Sequence, residues 1–419
     1  MKPLAYPIFR WLLLANLLSE IGTWMQYVGA EWLITSQTLD PLQVSLLGVA
    51  FHLPVFLLAL PSGIWADTFG RRNVLLVAQF WMVGIAVVTV LLLRMNTIGP
   101  WTLILLTFFL YSGITMQEPA LHAVYPELVP RQYLPAAIAL HGVNFNLARV
   151  AGPVIAGAMI SKFGLQSAFI ANVLSFAGLI WFLWVWQDGR KTEQRAETFG
   201  TAFKTAVNCV RVSAELRVAL VFVGLSAFLS VTAYVLLPIM ARSALHLDSD
   251  GYGLLLSCLG VGAILGSALA APALGAFPAT RVLSGSMLLT GLSIFALSRV
   301  SRSLEFGLLL ATTGIGNAIA YTALNAIAQS WLTDKARGRV MGIYLMVFAG
   351  GSAAGSAAFG WLARATEVGV ALAIAGGCLL LLAALVAVSR LRMVSDESAR
   401  QMAALSTDAQ LPSHAGPGD

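Results

Sequence analysis

The sequence predicts an all-α polytopic membrane protein, with twelve transmembrane helices in two pseudo-symmetric six-helix bundles and both termini cytoplasmic. Three observations carry that expectation. Apolar residues make up 58% of the 419 and charged residues only 11%, with a mean hydropathy of +0.82. A soluble chain of this length needs more charge than that to cover its surface. Apolar runs long enough to span a bilayer, roughly 20 residues at 1.5 Å each, recur twelve times along the chain. One long polar stretch, Gln187 to Leu216, divides those runs six to six.

The runs begin near Phe9, Val44, Asn73, Trp101, Ala137 and Ser167, and then near Arg217, Gly251, Arg281, Glu305, Val340 and Val368. The first carries polar groups and lacks a small-residue cleavage site, so it reads as a retained helix and not as a signal peptide. The expected organisation is an N-terminal bundle over residues 1–186, a cytoplasmic linker over 187–216, a C-terminal bundle over 217–392 and a disordered cytoplasmic tail over 393–419. Most of the 25 Lys and Arg fall in alternate loops, among them Arg71, Arg72, Arg131, Arg190, Lys191, Lys335, Arg337 and Arg339. The opposite loops hold only Arg94, Lys162, Arg242, Arg299, Arg302 and Arg364. The positive-inside rule therefore places the termini and the linker in the cytoplasm. The net charge of +6 follows that topology and gives no sign of nucleic-acid binding.

Several functions are excluded. Cys209, Cys258 and Cys378 have neither metal-site nor disulfide spacing. The sequence shows no nucleotide-binding loop, catalytic triad or metal-ligand cluster. The expectation is a protein that is not an enzyme and uses no cofactor and no metal.

Two motifs frame the bundles. Between the second and third runs lies Gly63-Ile64-Trp65-Ala66-Asp67-Thr68-Phe69-Gly70-Arg71-Arg72. It resembles the signature joining helices 2 and 3 in the major facilitator superfamily of secondary transporters, with Trp65 and Thr68 in place of the usual Leu and Arg. Three further stretches narrow the resemblance to the transmembrane secretion effector branch, which includes enterobactin-exporter-like proteins. They are Ser19 with Gly22-Thr23-Trp24-Met25, Pro126-Glu127-Leu128-Val129-Pro130-Arg131, and Arg337-Gly338-Arg339-Val340-Met341. The fifth run carries Gly152, Pro153 and Gly157, which match the superfamily's antiporter signature, while Ala148 and Ala156 replace two of its glycines. The stretch Gly152-Pro153-Val154-Ile155-Ala156-Gly157 has an echo in Gly355-Ser356-Ala357-Ala358-Phe359-Gly360 of the eleventh run. Small residues at this spacing let helices approach closely in lipid.

Polar groups inside the bilayer are the best functional clues, since a charge at its centre costs roughly 2.5–3.5 kcal/mol on insertion scales. Glu20 lies about 17 Å past Phe9 at 1.5 Å per residue, near the midplane. Asn16, Glu20, Thr23, Tyr27 and Glu31 share one helical face. The fourth run repeats the pattern with Tyr111, Thr115, Glu118 and His122. Arg149, in the fifth, needs a partner, with Glu118 the first choice and Glu20 the second. The second half offers neutral groups: Ser230 and Tyr234, then Thr313, Asn317, Tyr321 and Asn325 at four-residue spacing. Any proton-coupling acid must therefore lie in the first half.

The resemblance implies a cavity between the halves and a gating role for the Gly63–Arg72 loop. There Asp67 would meet the start of helix 11 when the cytoplasmic side closes. Gly63 would permit the approach, and Arg71 and Arg72 would hold Asp67 or contact anionic lipid. The corresponding second-half loop, residues 271–281, lacks the acid and the paired bases. Together these readings predict a monomeric, multi-pass secondary transporter of a bacterial inner membrane. It would export a small molecule, either a siderophore or a drug-like amphiphile, in exchange for protons. A lysolipid flippase and a non-transporting scaffold or sensor on the same fold are the alternatives.

Overall fold

The computed structural model describes residues 2–186, 207–208, 210–211, 213–330 and 334–388. The expected linker core, Cys209 and the expected tail lie outside the described residues. Among the described residues twelve long helices alternate in direction. In the first half they are α1 (Pro7–Gln37), α2 (Pro41–Phe69), α3 (Arg71–Arg94), α4 (Pro100–Leu128), α5 (Leu134–Phe163) and α6 (Gln166–Val185). In the second half α7 runs over Ala214–Ser230 and continues to Ala244 through short turns. It is followed by α8 (Ser249–Ala276), α9 (Ala279–Leu297), α10 (Ser303–Ser330), α11 (Asp334–Ala365) and α12 (Val368–Val388). No strand occurs among the described residues. The expected all-α fold of two six-helix halves is what the structure has.

Local chemistry sets several boundaries. Pro7, Pro41 and Pro100 each sit in a first turn, where a missing N–H costs nothing. The Asp40, Ser213 and Asp248 side chains cap α2, α7 and α8. Gly70, at φ +83°, makes the tight junction of α2 with α3. Pro238 interrupts the hydrogen-bond ladder of α7, and the broken stretch carries Tyr234.

Ten of the helices are long and apolar enough to cross a membrane. The other two are α1 and α4, long enough but interrupted by Glu20, Gln26 and Glu31 in one and by Gln117, Glu118 and His122 in the other. Helices that are too polar for lipid must turn a face to protein or water.

The pairing of helices repeats with an offset of six. Helix α1 packs on α5, α2 on α4, and α3 on α4 and α6. Likewise α7 packs on α11, α8 on α10, and α9 on α10 and α12. Two seams join the halves, α2 with α11 and α5 with α8, and the same offset exchanges one for the other. The glycine echo explains how these seams close. Gly152 leaves no room for a Cβ against Trp24 of α1, and Gly355 leaves none against Phe228 of α7. Gly157 then abuts Ser249 of α8, as Gly360 abuts Ser45 of α2. The first glycine of each motif binds its own half, and the second binds the other half.

Candidate functional site: a cavity between the two halves

A cavity of about 420 Å³ lies between the halves, with walls from α1, α2, α5, α7, α8, α10 and α11. The first half contributes an aromatic wall. Tyr27 meets Phe51 edge-on at 5.2 Å between ring centroids, Trp24 meets Tyr27 at 5.6 Å, and Phe51 meets Tyr111 at 4.1 Å. The second half contributes Tyr234, Tyr321 and Phe348, the last two 5.0 Å apart. Ser230 Oγ and the Tyr321 hydroxyl share a hydrogen bond of 2.8 Å. Among the described lining residues, Arg149 is the single arginine, lysine or carboxylate.

Among the described residues Arg149 does not pair with an acid, which corrects the sequence expectation. Its Nη2 donates to the Tyr234 hydroxyl, and its guanidinium carbon lies 5.6 Å from the centre of that ring. The reason is helix register. His141, eight residues before Arg149, stands level with Glu118, so Arg149 lies about 12 Å further along α5 at 1.5 Å per residue. Tyrosine supplies an acceptor oxygen and a ring face without placing a second charge in the cavity.

Of the other predicted residues, Tyr27, Tyr234, Asn317 and Tyr321 line this cavity, and Tyr111 backs its aromatic wall. Asn325 instead bonds Gln329 in a neighbouring hollow with Tyr344 and Phe348. Glu20 sits two turns before Tyr27 on α1. One of its oxygens accepts from Asn16 Nδ2 at 2.7 Å, and the other is buried with no hydrogen-bond partner. Glu118 and His122 face each other at 3.6 Å, with His141 of α5 close by.

One end of the bundle, opposite the α2–α3 loop, is sealed. Glu31 is 3% exposed and accepts a hydrogen bond from Tyr252 of α8. Trp32 stacks on Tyr252 at 5.9 Å, and the Arg242 guanidinium lies 4.7 Å from the centre of the Trp32 ring. Ser249 Oγ donates to the Gly157 carbonyl at 3.3 Å. Contacts of α8 with α5 continue to Gly260 against Arg149 and Val150.

At the other end the basic loop is arranged differently from the expectation. Arg71 pairs with Glu127 and donates to the Ala123 carbonyl of α4, while Arg72 donates to the Leu183 carbonyl of α6 at 2.8 Å. The two arginines thus tie α3 to its own half and leave Asp67 exposed, with no hydrogen bond or ion pair among the described residues. No described residue comes within 4 Å of the open side of Gly63. Among the described residues, the contact of α11 with this end of α2 is Gly342 against Leu60, one turn before the loop.

The profile of the transmembrane secretion effector family matches residues 1–417. The chain belongs to that family of major facilitator transporters. It is similar to the staphyloferrin A transporter of Staphylococcus aureus, at 19% identity over 79% of this chain and 84% of that one. It is also similar to the uncharacterised MFS-type transporter YfiS of Bacillus subtilis, at 26% over 42% of this chain, a match that spans only 44% of YfiS. A third relative is the multidrug efflux pump Tap of Mycobacterium tuberculosis, at 28% over 40% of this chain and 43% of the pump. Among solved structures, a D323A mutant of the nucleoside transporter NupG superposes with a TM-score of 0.75 at 12% identity, covering 90% of this chain and 98% of that one.

In this transporter the sequence motifs prove to be contacts. Arg71 of the loop signature meets Glu127 of the Pro126–Arg131 stretch, joining two stretches that lie far apart in the chain. Sequence reasoning missed Phe51, Asn146, Phe348 and Ser352 as cavity residues. Asn146 carried a signal, being three residues before Arg149 and so on its face. Phe51 and Phe348 carried none, because an aromatic in an apolar helix looks the same whether it meets lipid or a cavity.

Proposed function

We propose that this transporter exports a small amphipathic organic acid, of the siderophore or drug-like class, from a bacterial cytoplasm in exchange for protons. The observation that carries this reading is the cavity itself. Both halves build it, its walls are aromatic, and its one full charge is Arg149. An aromatic wall suits a flat apolar body, and a guanidinium suits a carboxylate or catecholate edge. The relatives named for staphyloferrin A transport and multidrug efflux support export of such molecules. The bias of Lys and Arg puts the α2–α3 loop in the cytoplasm, which makes the sealed end the outer one and the conformation inward-facing.

Protons would enter through Glu20, a carboxylate at bilayer depth with one oxygen unpaired. In proteoliposomes, an imposed pH gradient should drive uptake of a fluorescent amphipathic acid by the parent. Glu20→Gln should lose that gradient-driven component while retaining binding. Equal flux in both would remove Glu20 from the mechanism, and movement of a labelled lysolipid in place of the acid would favour a flippase.

The loop supplies a further expectation. If Asp67 meets the positive N-terminal end of α11 only when the cytoplasmic side closes, Asp67→Asn favours the present conformation. A charge near a helix end is worth about 0.3–1 kcal/mol, and up to ~2 when partly buried. At roughly 1.4 kcal/mol per tenfold, populations shift by about 2- to 30-fold. Cysteines on the cytoplasmic halves of α4 and α10 should react faster in the variant, and those on the outer halves more slowly. Identical rates would leave the loop a topology signal.

A further inference from the structure

We propose that Glu118, His122 and His141 form a binding site for one divalent first-row transition-metal ion, of the zinc, cobalt or nickel kind. The expectation from the sequence was no metal, because the third ligand comes from another helix. Glu118 and His122 are four residues apart on α4 and share a face. His141 arrives from α5, which runs antiparallel beside it. One donor atom from each residue lies within 4.8 Å of the other two.

The spacing fits an ion better than a hydrogen bond. His122 Nε2 and Glu118 Oε2 are 3.6 Å apart, beyond a good hydrogen bond. Two ligands of a tetrahedral ion at 2.0–2.1 Å stand about 3.3 Å apart. The rings of His122 and His141 are 4.8 Å apart and nearly perpendicular, at 84°. His141 is buried, and its Nδ1 is 2.8 Å from the Tyr125 hydroxyl. With the proton on Nδ1 donated to that oxygen, the Nε2 lone pair is free for a metal, the usual way a second shell fixes a ligating imidazole. Tyr125 is itself 1% exposed, so it is a firm positioning residue. The His122 side chain is 48% exposed and that of Glu118 39%, so an ion has a path in, and water can complete its coordination. Two imidazoles and one carboxylate select for zinc, cobalt and nickel over magnesium or calcium.

The test uses the full-length, tag-free protein in detergent, titrated with Co²⁺ and followed by its visible d–d absorption. The chain has only five histidines, so background binding is low. The bands should saturate at one Co²⁺ per chain and vanish on adding Zn²⁺. His122→Ala, Glu118→Gln and His141→Ala should each weaken binding by at least about tenfold, and Tyr125→Phe by about 10- to 100-fold. His246→Ala, in the α7–α8 loop, should leave it unchanged. His122 is exposed and Glu118→Gln is isosteric, so these two variants stay informative even if His141→Ala folds poorly. A parent that binds no Co²⁺, or a His122→Ala variant that binds as tightly as the parent, overturns the site.

Discussion

Tyr252→Phe should open the sealed end of the bundle. The hydroxyl it removes donates to Glu31 across the two halves, and Glu31 is buried there. A buried acceptor that loses one of its donors, here leaving Tyr27 of its own helix, costs about 1–3 kcal/mol, and that cost falls on the sealed conformation alone, because water reaches Glu31 once the halves part. At roughly 1.4 kcal/mol per tenfold, the sealed fraction should drop by about 5- to 150-fold relative to the opposite conformation. The stack of Arg242 on Trp32 and of Trp32 on Tyr252 survives the change, so the shift isolates the hydrogen bond. A thiol probe placed at Thr35 on α1, 3% exposed here and 3.4 Å from Arg242 of the second half, reads the outcome. Faster labelling in Tyr252→Phe is expected, and unchanged labelling would mean that the seal does not rest on this bond.

Arg149→Ala should sharply weaken recognition of an anionic substrate with little loss of fold. Arg149 is only partly buried and makes no ion pair among the described residues, so its removal strands no partner charge. A hydrogen bond to a charged group contributes about 1.5–3 kcal/mol, which corresponds to a loss in affinity of about 10- to 100-fold. Arg149→Lys should recover part of it, keeping the charge but not the planar fork. Trp24 lines the same cavity, so quenching of intrinsic fluorescence on titration with an amphipathic acid measures the binding. A neutral analogue should bind parent and variant alike. Equal affinity of parent and Arg149→Ala for the acid would show that the cavity does not read charge.

The fold was legible because insertion into a bilayer acts on composition, run length and loop charge, all of which lie in the sequence. The glycine echo was legible for a related reason, since Gly152 and Gly355 stand where backbones touch and only small residues fit there. Side-chain partners across helices were not legible. Glu118 looked like the natural counter-ion of Arg149, but a depth estimate from the ends of two neighbouring helices does not fix their register. Arg71 and Arg72 looked like holders of Asp67 and turned out to grip α4 and α6, because which acceptors a side chain reaches depends on how the neighbouring helices pack. Glu31 looked like one more polar group on the face of α1 that carries Glu20. It is a buried link between halves, because α8 covers it with Tyr252, a residue whose own surroundings in sequence are unremarked glycines and leucines. The hidden information in each case is tertiary, and it concerns the seams between helices more than the helices themselves.

Alternating access about the central cavity is the claim on which the rest depends, and distances across the two ends test it most directly. With Cys209, Cys258 and Cys378 replaced by serine, one spin-label pair at Leu39 and His246 spans the sealed end. A second pair at Phe69 and Phe277 spans the other; all four positions are exposed. Double electron–electron resonance in lipid nanodiscs then reads both ends, with and without Tyr252→Phe. Reciprocal change is expected, the Leu39–His246 distance lengthening in the population where the Phe69–Phe277 distance shortens. Distances that stay fixed at both ends, or that lengthen together, would contradict it.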